Sequence, residues 1–99
     1  MSLNIDRNTV TVVKFSAPWC GPCKAMAPTF DEVQQTYPQA KFVDVDIDKN
    51  ESVAYQYKIR SVPTTMVFVG GEIFNTTTGL LSRSQLEELI GEALQEQTA

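Results

Sequence analysis

Histidine is absent from this sequence of 99 residues, and that zero excludes more chemistry than any other count. Without imidazole there is no Ser–His or Cys–His nucleophile pair, no histidine-ligated zinc and no imidazole acid–base catalysis. Cysteine is scarce as well: Cys20 and Cys23 are the only two, and they share one short stretch. Two thiolates make half a tetrahedral zinc site, so a metal would require carboxylates or a second chain. No apolar run approaches the ~20 residues that cross a bilayer. The polar start, Met1–Arg7, predicts neither a signal nor a transit peptide, and so a cytoplasmic protein. Basic residues are outnumbered, 8 against 12 acidic, for a formal charge of −4. A nucleic acid or an anionic membrane as partner would need the opposite balance.

What is present is ordinary for a globular chain: 42% hydrophobic, 20% charged, with 5 Gly and 5 Pro. The length suits a single domain over residues 1–99 with one modest core. Val10–Phe15 is a β-branched run that stops before a Pro/Gly cluster, which predicts a strand. Across Pro22–Tyr37, Cys23, Met26 or Ala27, Phe30, Val33 and Tyr37 recur at helical spacing. Pro22 falls where a first turn tolerates it, Pro28 should kink the helix, and Tyr37-Pro38 should end it. Lys41–Ile47 alternates strictly, with Val43, Val45 and Ile47 opposite Phe42, Asp44 and Asp46, and its charged face suits a sheet edge. Asn50–Tyr57 predicts a short helix capped by Asn50 or Asp48. Thr64–Val69 and Glu72–Thr76 are strands joined by Gly70-Gly71, a two-residue hairpin signal. Ser82 opens a last helix, with Gln85 completing a capping box and Leu86, Leu89, Ile90, Ala93 and Leu94 forming its apolar stripe. The tail from Gln95 should fray. The order is β-α-β-α-β-β-α: an α/β fold with a four-stranded mixed sheet and helices on both faces.

Chemistry concentrates at Trp19-Cys20-Gly21-Pro22-Cys23. At a strand-to-helix junction, Cys20 meets unpaired N–H groups and the positive end of the helix dipole, which favour a thiolate. Cys23 lies one turn deeper on the apolar face, where it should stay protonated until needed. The spacing permits a disulfide. Cys20 would attack a partner's disulfide and Cys23 would resolve the mixed intermediate by attacking Cys20. A structural disulfide and half of a shared zinc site are the competing readings, though so small a loop constrains the unfolded chain little.

Phe15–Lys24, FSAPWCGPCK, resembles the active-site signature of the thioredoxin family. Ser61-Val62-Pro63-Thr64 is similar to its second landmark and Gly79 to a third. Pro28 matches the family's helix-kinking proline, Asp48 its acidic turn, and the likeness spans about residues 10–94 in one register. The resemblance implies a cis peptide at Val62-Pro63 beside the disulfide, although a trans strand-start proline fits the residues alone. It implies that the Val62 backbone is free to pair with an extended substrate, as in strand addition. Trp19, Gly21, Pro22, Val62, Pro63, Gly79 and Leu80 would form a flat, uncharged apron around Cys20; otherwise Trp19 is a core residue.

The sequence departs from the family at two places. Few residues precede Val10, so the leading β-α unit is expected to be absent or vestigial, unless Leu3–Ile5 supplies a short pairing segment. The family usually has a buried aspartate at the position of Lys14, and often a lysine at that of Asp44. An ion pair of inverted polarity would support the active site; the alternative is a Lys14 that snorkels to solvent and a solvated Asp44. The family's carboxylate is assigned a proton-shuttling role that a cation cannot copy, since a cation favours thiolate.

The implied function is reduction of protein disulfides by a monomer that needs no bound cofactor beyond the Cys20–Cys23 disulfide. An NADPH-dependent thioredoxin reductase would regenerate it. A glutathione-dependent, glutaredoxin-like reductase is one alternative, with Lys24 as its thin support. A non-catalytic binding subunit on the same fold is the other.

Overall fold

The computed structural model describes residue 3 and residues 5–98. Its elements are β1 (Val10–Ser16), α1 (Gly21–Thr36), β2 (Lys41–Asp46), α2 (Glu51–Gln56), β3 (Thr64–Val69), β4 (Glu72–Thr78) and α3 (Arg83–Thr98). They form a four-stranded sheet in the order β2-β1-β3-β4. β1 runs parallel to β2 and antiparallel to β3, which pairs antiparallel with β4. The mixed sheet follows from the connections: a helix returns the chain parallel, a two-residue turn returns it antiparallel. Gly70 and Gly71 take that turn with φ of +61° and +88°, a conformation that glycine adopts without a Cβ clash.

Position in the sheet explains composition. β1 is central, and its first six residues are buried on both faces. Val10 and Val12 point to one side, into a core with Met26, Phe30 and Val33 of α1 and Leu86, Ile90 and Ala93 of α3. Val13 and Phe15 point to the other, into a core with Val45, Val53, Met66 and Phe68. Helices therefore cover both faces, with α1 and α3 on one and α2 on the other. β2 is an edge, and its alternation places Phe42 against the first core and Val43 against the second.

Local signals mostly carry through. The Ser82 N–H donates to Gln85 Oε1 at 2.9 Å while the Gln85 N–H donates to Ser82 Oγ at 3.2 Å, a reciprocal capping box. α1 is continuous through Pro28 and ends where the Tyr37 N–H reaches the Val33 carbonyl at 3.1 Å.

Three details differ from the sequence expectation. α3 does not fray at Gln95 but continues to Thr98, and Gln97 Nε2 donates to the Asn8 carbonyl at 2.9 Å, tying the two ends of the chain together. Asn50 stands at the N-cap of α2 without a side-chain capping bond; its amide donates instead to the Asp46 carbonyl at 3.1 Å. Within Leu3–Ile5, Asn4 lies outside the described residues, and Leu3 and Ile5 join no strand but pack against the second core. Asp6 anchors this segment through Lys41 Nζ at 3.3 Å.

Phe30 is the aromatic keystone of the first core, 3% exposed and edge-on to Phe42 with ring centroids 5.4 Å apart. Truncation of a buried Phe to Ala costs about 3–5 kcal/mol. Phe30→Ala is expected to lower the urea midpoint correspondingly without changing the slope of the transition, read by far-UV circular dichroism.

Candidate active site

Residues 17–20 lead from the end of β1 to α1, and the helix begins at Gly21, one residue after Cys20. Cys20 is the N-cap: its backbone is extended, and its Sγ accepts the Cys23 N–H at 3.2 Å. A sulfur thus occupies the place where a helix ordinarily presents a hydroxyl or carboxylate to its unpaired amides. No acidic side chain stands in the first turn to compete for the positive end of the dipole. Pro22 lies within that first turn, where its missing N–H removes no helical bond. The local sequence therefore builds a site that stabilises negative charge on Cys20 Sγ once the disulfide opens.

Cys20 and Cys23 are disulfide-bonded, with Cα atoms 5.3 Å apart, within the range that bridging requires. Both are only 4% exposed. Cys20 Sγ lies 3.6 Å from the Val62 carbonyl oxygen, which brings the loop before β3 against the disulfide. The Val62–Pro63 peptide is cis. Val62 precedes β3 and takes no part in the ladder. The Gly79 N–H donates to the Pro63 carbonyl at 2.8 Å, and Gly79 has φ of +91°. The three loops carrying Cys20, Val62 and Gly79 are thereby gathered at one end of the sheet.

Around them lies an apolar rim. Trp19 is 67% exposed and Leu80 57%, so Trp19 is not a core residue. Its indole N–H donates to Asp48 Oδ2 at 3.0 Å, which fixes the ring at the surface. Gly21 and Pro22 are exposed, Val62 and Gly79 half-buried, and Pro63 buried.

Lys14 does not snorkel. It is 2% exposed, with Nζ 3.5 Å from Asp44 Oδ2 and 5.0 Å from the centroid of the Phe30 ring. The parallel register of β1 and β2 places residues 14 and 44 directly side by side. Asp44 remains 54% exposed, and its other carboxylate oxygen accepts from Ser16 Oγ at 2.8 Å. A cleft of about 320 Å³ joins this pair to the disulfide, with Lys14, Cys23, Lys24, Asp44 and Asp46 along its walls.

Ser16, Thr65 and the indole-holding role of Asp48 were not singled out by sequence reasoning. Thr65 pairs with Lys14 across β1 and β3 and is fully buried, and its Oγ1 has no partner among the described residues. A threonine pair opening an otherwise apolar strand, Thr64-Thr65-Met66-Val67-Phe68, is the signal that could have found it.

The thioredoxin family model matches residues 3–92. Thioredoxin 1 of Synechococcus elongatus is 42% identical over 91 residues, covering 91% of this chain and 85% of that protein. The thioredoxin of Bacillus subtilis is 38% identical over 86 residues, with 86% and 83% covered. Among solved structures, the thioredoxin of Fasciola hepatica superposes with a TM-score of 0.82 at 31% identity, over 87% of this chain and 82% of that one.

The capping geometry distinguishes the two sulfurs of the reduced protein. Limiting iodoacetamide at neutral pH is expected to alkylate Cys20 almost exclusively, as read by peptide mass spectrometry. The pH dependence of that alkylation should place the Cys20 thiol below the ~8.5 of a free cysteine.

Proposed function

The chain belongs to the thioredoxin family and is a dithiol–disulfide oxidoreductase that reduces protein disulfides; from that premise we propose how its surroundings are used. The observation that carries the reading is the disulfide at the N-cap of α1, ringed by an exposed apolar rim. In the reduced protein, Cys20 thiolate attacks one sulfur of a substrate disulfide. The substrate S–S bond breaks, its other sulfur leaves and takes a proton, and Cys20 is left in a mixed disulfide. Cys23 gives up its proton and attacks Cys20 Sγ. The mixed disulfide breaks, the Cys20–Cys23 bond forms, and the second substrate sulfur leaves as a thiol. Two electrons and two protons have passed to the substrate, and the electron pair is carried by the protein's own sulfurs without a bound cofactor.

Trp19, Gly21, Pro22, Val62, Pro63, Gly79 and Leu80 form the substrate platform in this reading. Its support is that Trp19 and Leu80 present apolar surface while Val62 keeps its backbone outside the sheet. An extended substrate segment laid along Val62 would hold its disulfide over Cys20. The chain works as a monomer in a reducing compartment such as the cytoplasm, where paired cysteines serve catalysis more than structure. An NADPH-dependent thioredoxin reductase returns it to the dithiol. A glutathione route would need a basic surface for that tripeptide's carboxylates, and the cleft beside Cys23 balances Lys14 and Lys24 against Asp44 and Asp46.

Insulin reduction, driven either by NADPH with thioredoxin reductase or by glutathione, tests the reading. The first couple is expected to sustain turnover and the second to be slow. Cys20→Ser should abolish reduction, whereas Cys23→Ser should accumulate a mixed disulfide with insulin. Undiminished reduction by Cys20→Ser would overturn the reading.

A further inference from the structure

The resolving step requires Cys23 to lose a proton in a buried position, and of the charged side chains that wall the cleft beside it, Lys14, Lys24, Asp44 and Asp46, the most deeply buried is Lys14. We propose that the Lys14 ammonium, rather than a carboxylate, brings Cys23 to its thiolate, acting as a positioning residue across the cleft that both line. The proposal rests on the disulfide-exchange reading above and assigns the protonation control within it.

The two members of the Lys14–Asp44 pair do not contribute equally inside the protein. Lys14 is 2% exposed, so its field toward the interior is little screened. Asp44 is 54% exposed and also bonded to Ser16, so water and a hydroxyl already disperse its charge. Lys24 of α1 and Asp46 of β2 also wall the cleft; Lys24 is exposed to water, and half-buried Asp46 spends its Oδ1 on the Asp48 and Lys49 amides at 2.8 and 3.3 Å. The net influence on a sulfur at the inner wall is that of the buried ammonium, which favours the charged form of a thiol. The buried Thr65 hydroxyl, which has no partner among the described residues and stands opposite Lys14 in the β1–β3 register, makes the same corner polar rather than purely apolar.

The step balances without a carboxylate base. The Cys23 proton passes to water in the open cleft, the thiolate attacks Cys20 Sγ, the Cys20–substrate bond breaks, and the departing sulfur takes a proton from solvent. Removing the cation should raise the Cys23 titration by about one unit, a tenfold loss of thiolate. The more basic thiolate is a better nucleophile, which recovers about threefold of that loss and leaves the step about threefold slower at neutral pH.

Reaction of the reduced protein with dithiobis(nitrobenzoate) places thionitrobenzoate on Cys20, and attack by Cys23 then releases the coloured thiol. Stopped-flow measurement of that second release against pH isolates the resolving step. Lys14→Met should slow it about threefold at neutral pH and move the profile up by about one unit. Adding Asp44→Asn to Lys14→Met, where no buried ammonium is left to lose its partner, should slow the release no further. An unaltered profile in Lys14→Met overturns the proposal, as does a further slowing when Asp44→Asn is added to it, which would make that carboxylate the proton acceptor. If Lys14→Met does not fold, Lys14→Gln takes its place in both the single and the double variant. A wild-type protein that shows no second release and no insulin reduction would instead remove the exchange reading itself.

Discussion

When the Cys20 sulfur receives the Cys23 amide at 3.2 Å, one hydrogen bond performs two tasks. It closes the first turn of α1, satisfying an amide that would otherwise lack a partner. It also places the attacking sulfur where a helix concentrates positive potential. Stability and reactivity therefore draw on the same contact, and they reinforce each other in the dithiol state because a thiolate caps better than a neutral thiol. The rest of the structure holds this junction still. β1 must be central and buried on both faces so that its end is fixed, and α1 must lie on the sheet through Met26, Phe30 and Val33 so that its start is fixed.

The junction alone would be an acidified cysteine without a substrate. Its selectivity comes from two other loops that the sheet order delivers to the same end. β3 lies next to β1, so the loop before β3 arrives beside Cys20 and places the Val62 carbonyl 3.6 Å from its sulfur. β4 lies next to β3, so the loop after β4 is bound to the Pro63 carbonyl through the Gly79 amide. The apolar residues left exposed there, Trp19 and Leu80, have no core to enter. Trp19 is further held outward by its bond to Asp48, across the β2–α2 turn.

Much of this was legible because the signals are local. The change from a β-branched run to helical spacing around Gly21-Pro22 marks the junction, Gly70-Gly71 marks the hairpin, and Ser82 with Gln85 marks the start of α3. Each depends on residues a few positions apart. What was hidden depends on distant pairs. The Gln97–Asn8 bond in the last turn of α3 links opposite ends of the chain, and no property of Gln95–Thr98 alone reveals it. Asn50 has the right side chain for a cap, but its Nδ2 donates to the Asp46 carbonyl while its Oδ1 accepts no amide of α2, an orientation that only the folded turn decides. Thr65 became conspicuous only once the β1–β3 register set it opposite Lys14.

The inverted pair at Lys14 and Asp44 shows why a charge can sit beneath this disulfide at all. Adjacent positions on parallel strands, one central and one at the edge, offer a buried place and a wet place side by side. A lysine fits the buried place because its long apolar stem can be covered by the core while its ammonium meets the edge carboxylate. The Phe30 ring, 5.0 Å from Nζ, adds an attraction that a carboxylate could not use, since the face of an aromatic ring is electronegative. Asp44 avoids most of the desolvation cost by remaining in water and bonding to Ser16. The same strand register can thus carry either polarity, but the cost of each falls on different neighbours. In this chain the polarity that Phe30 and the wet edge favour is also the one that stabilises a thiolate rather than accepts its proton.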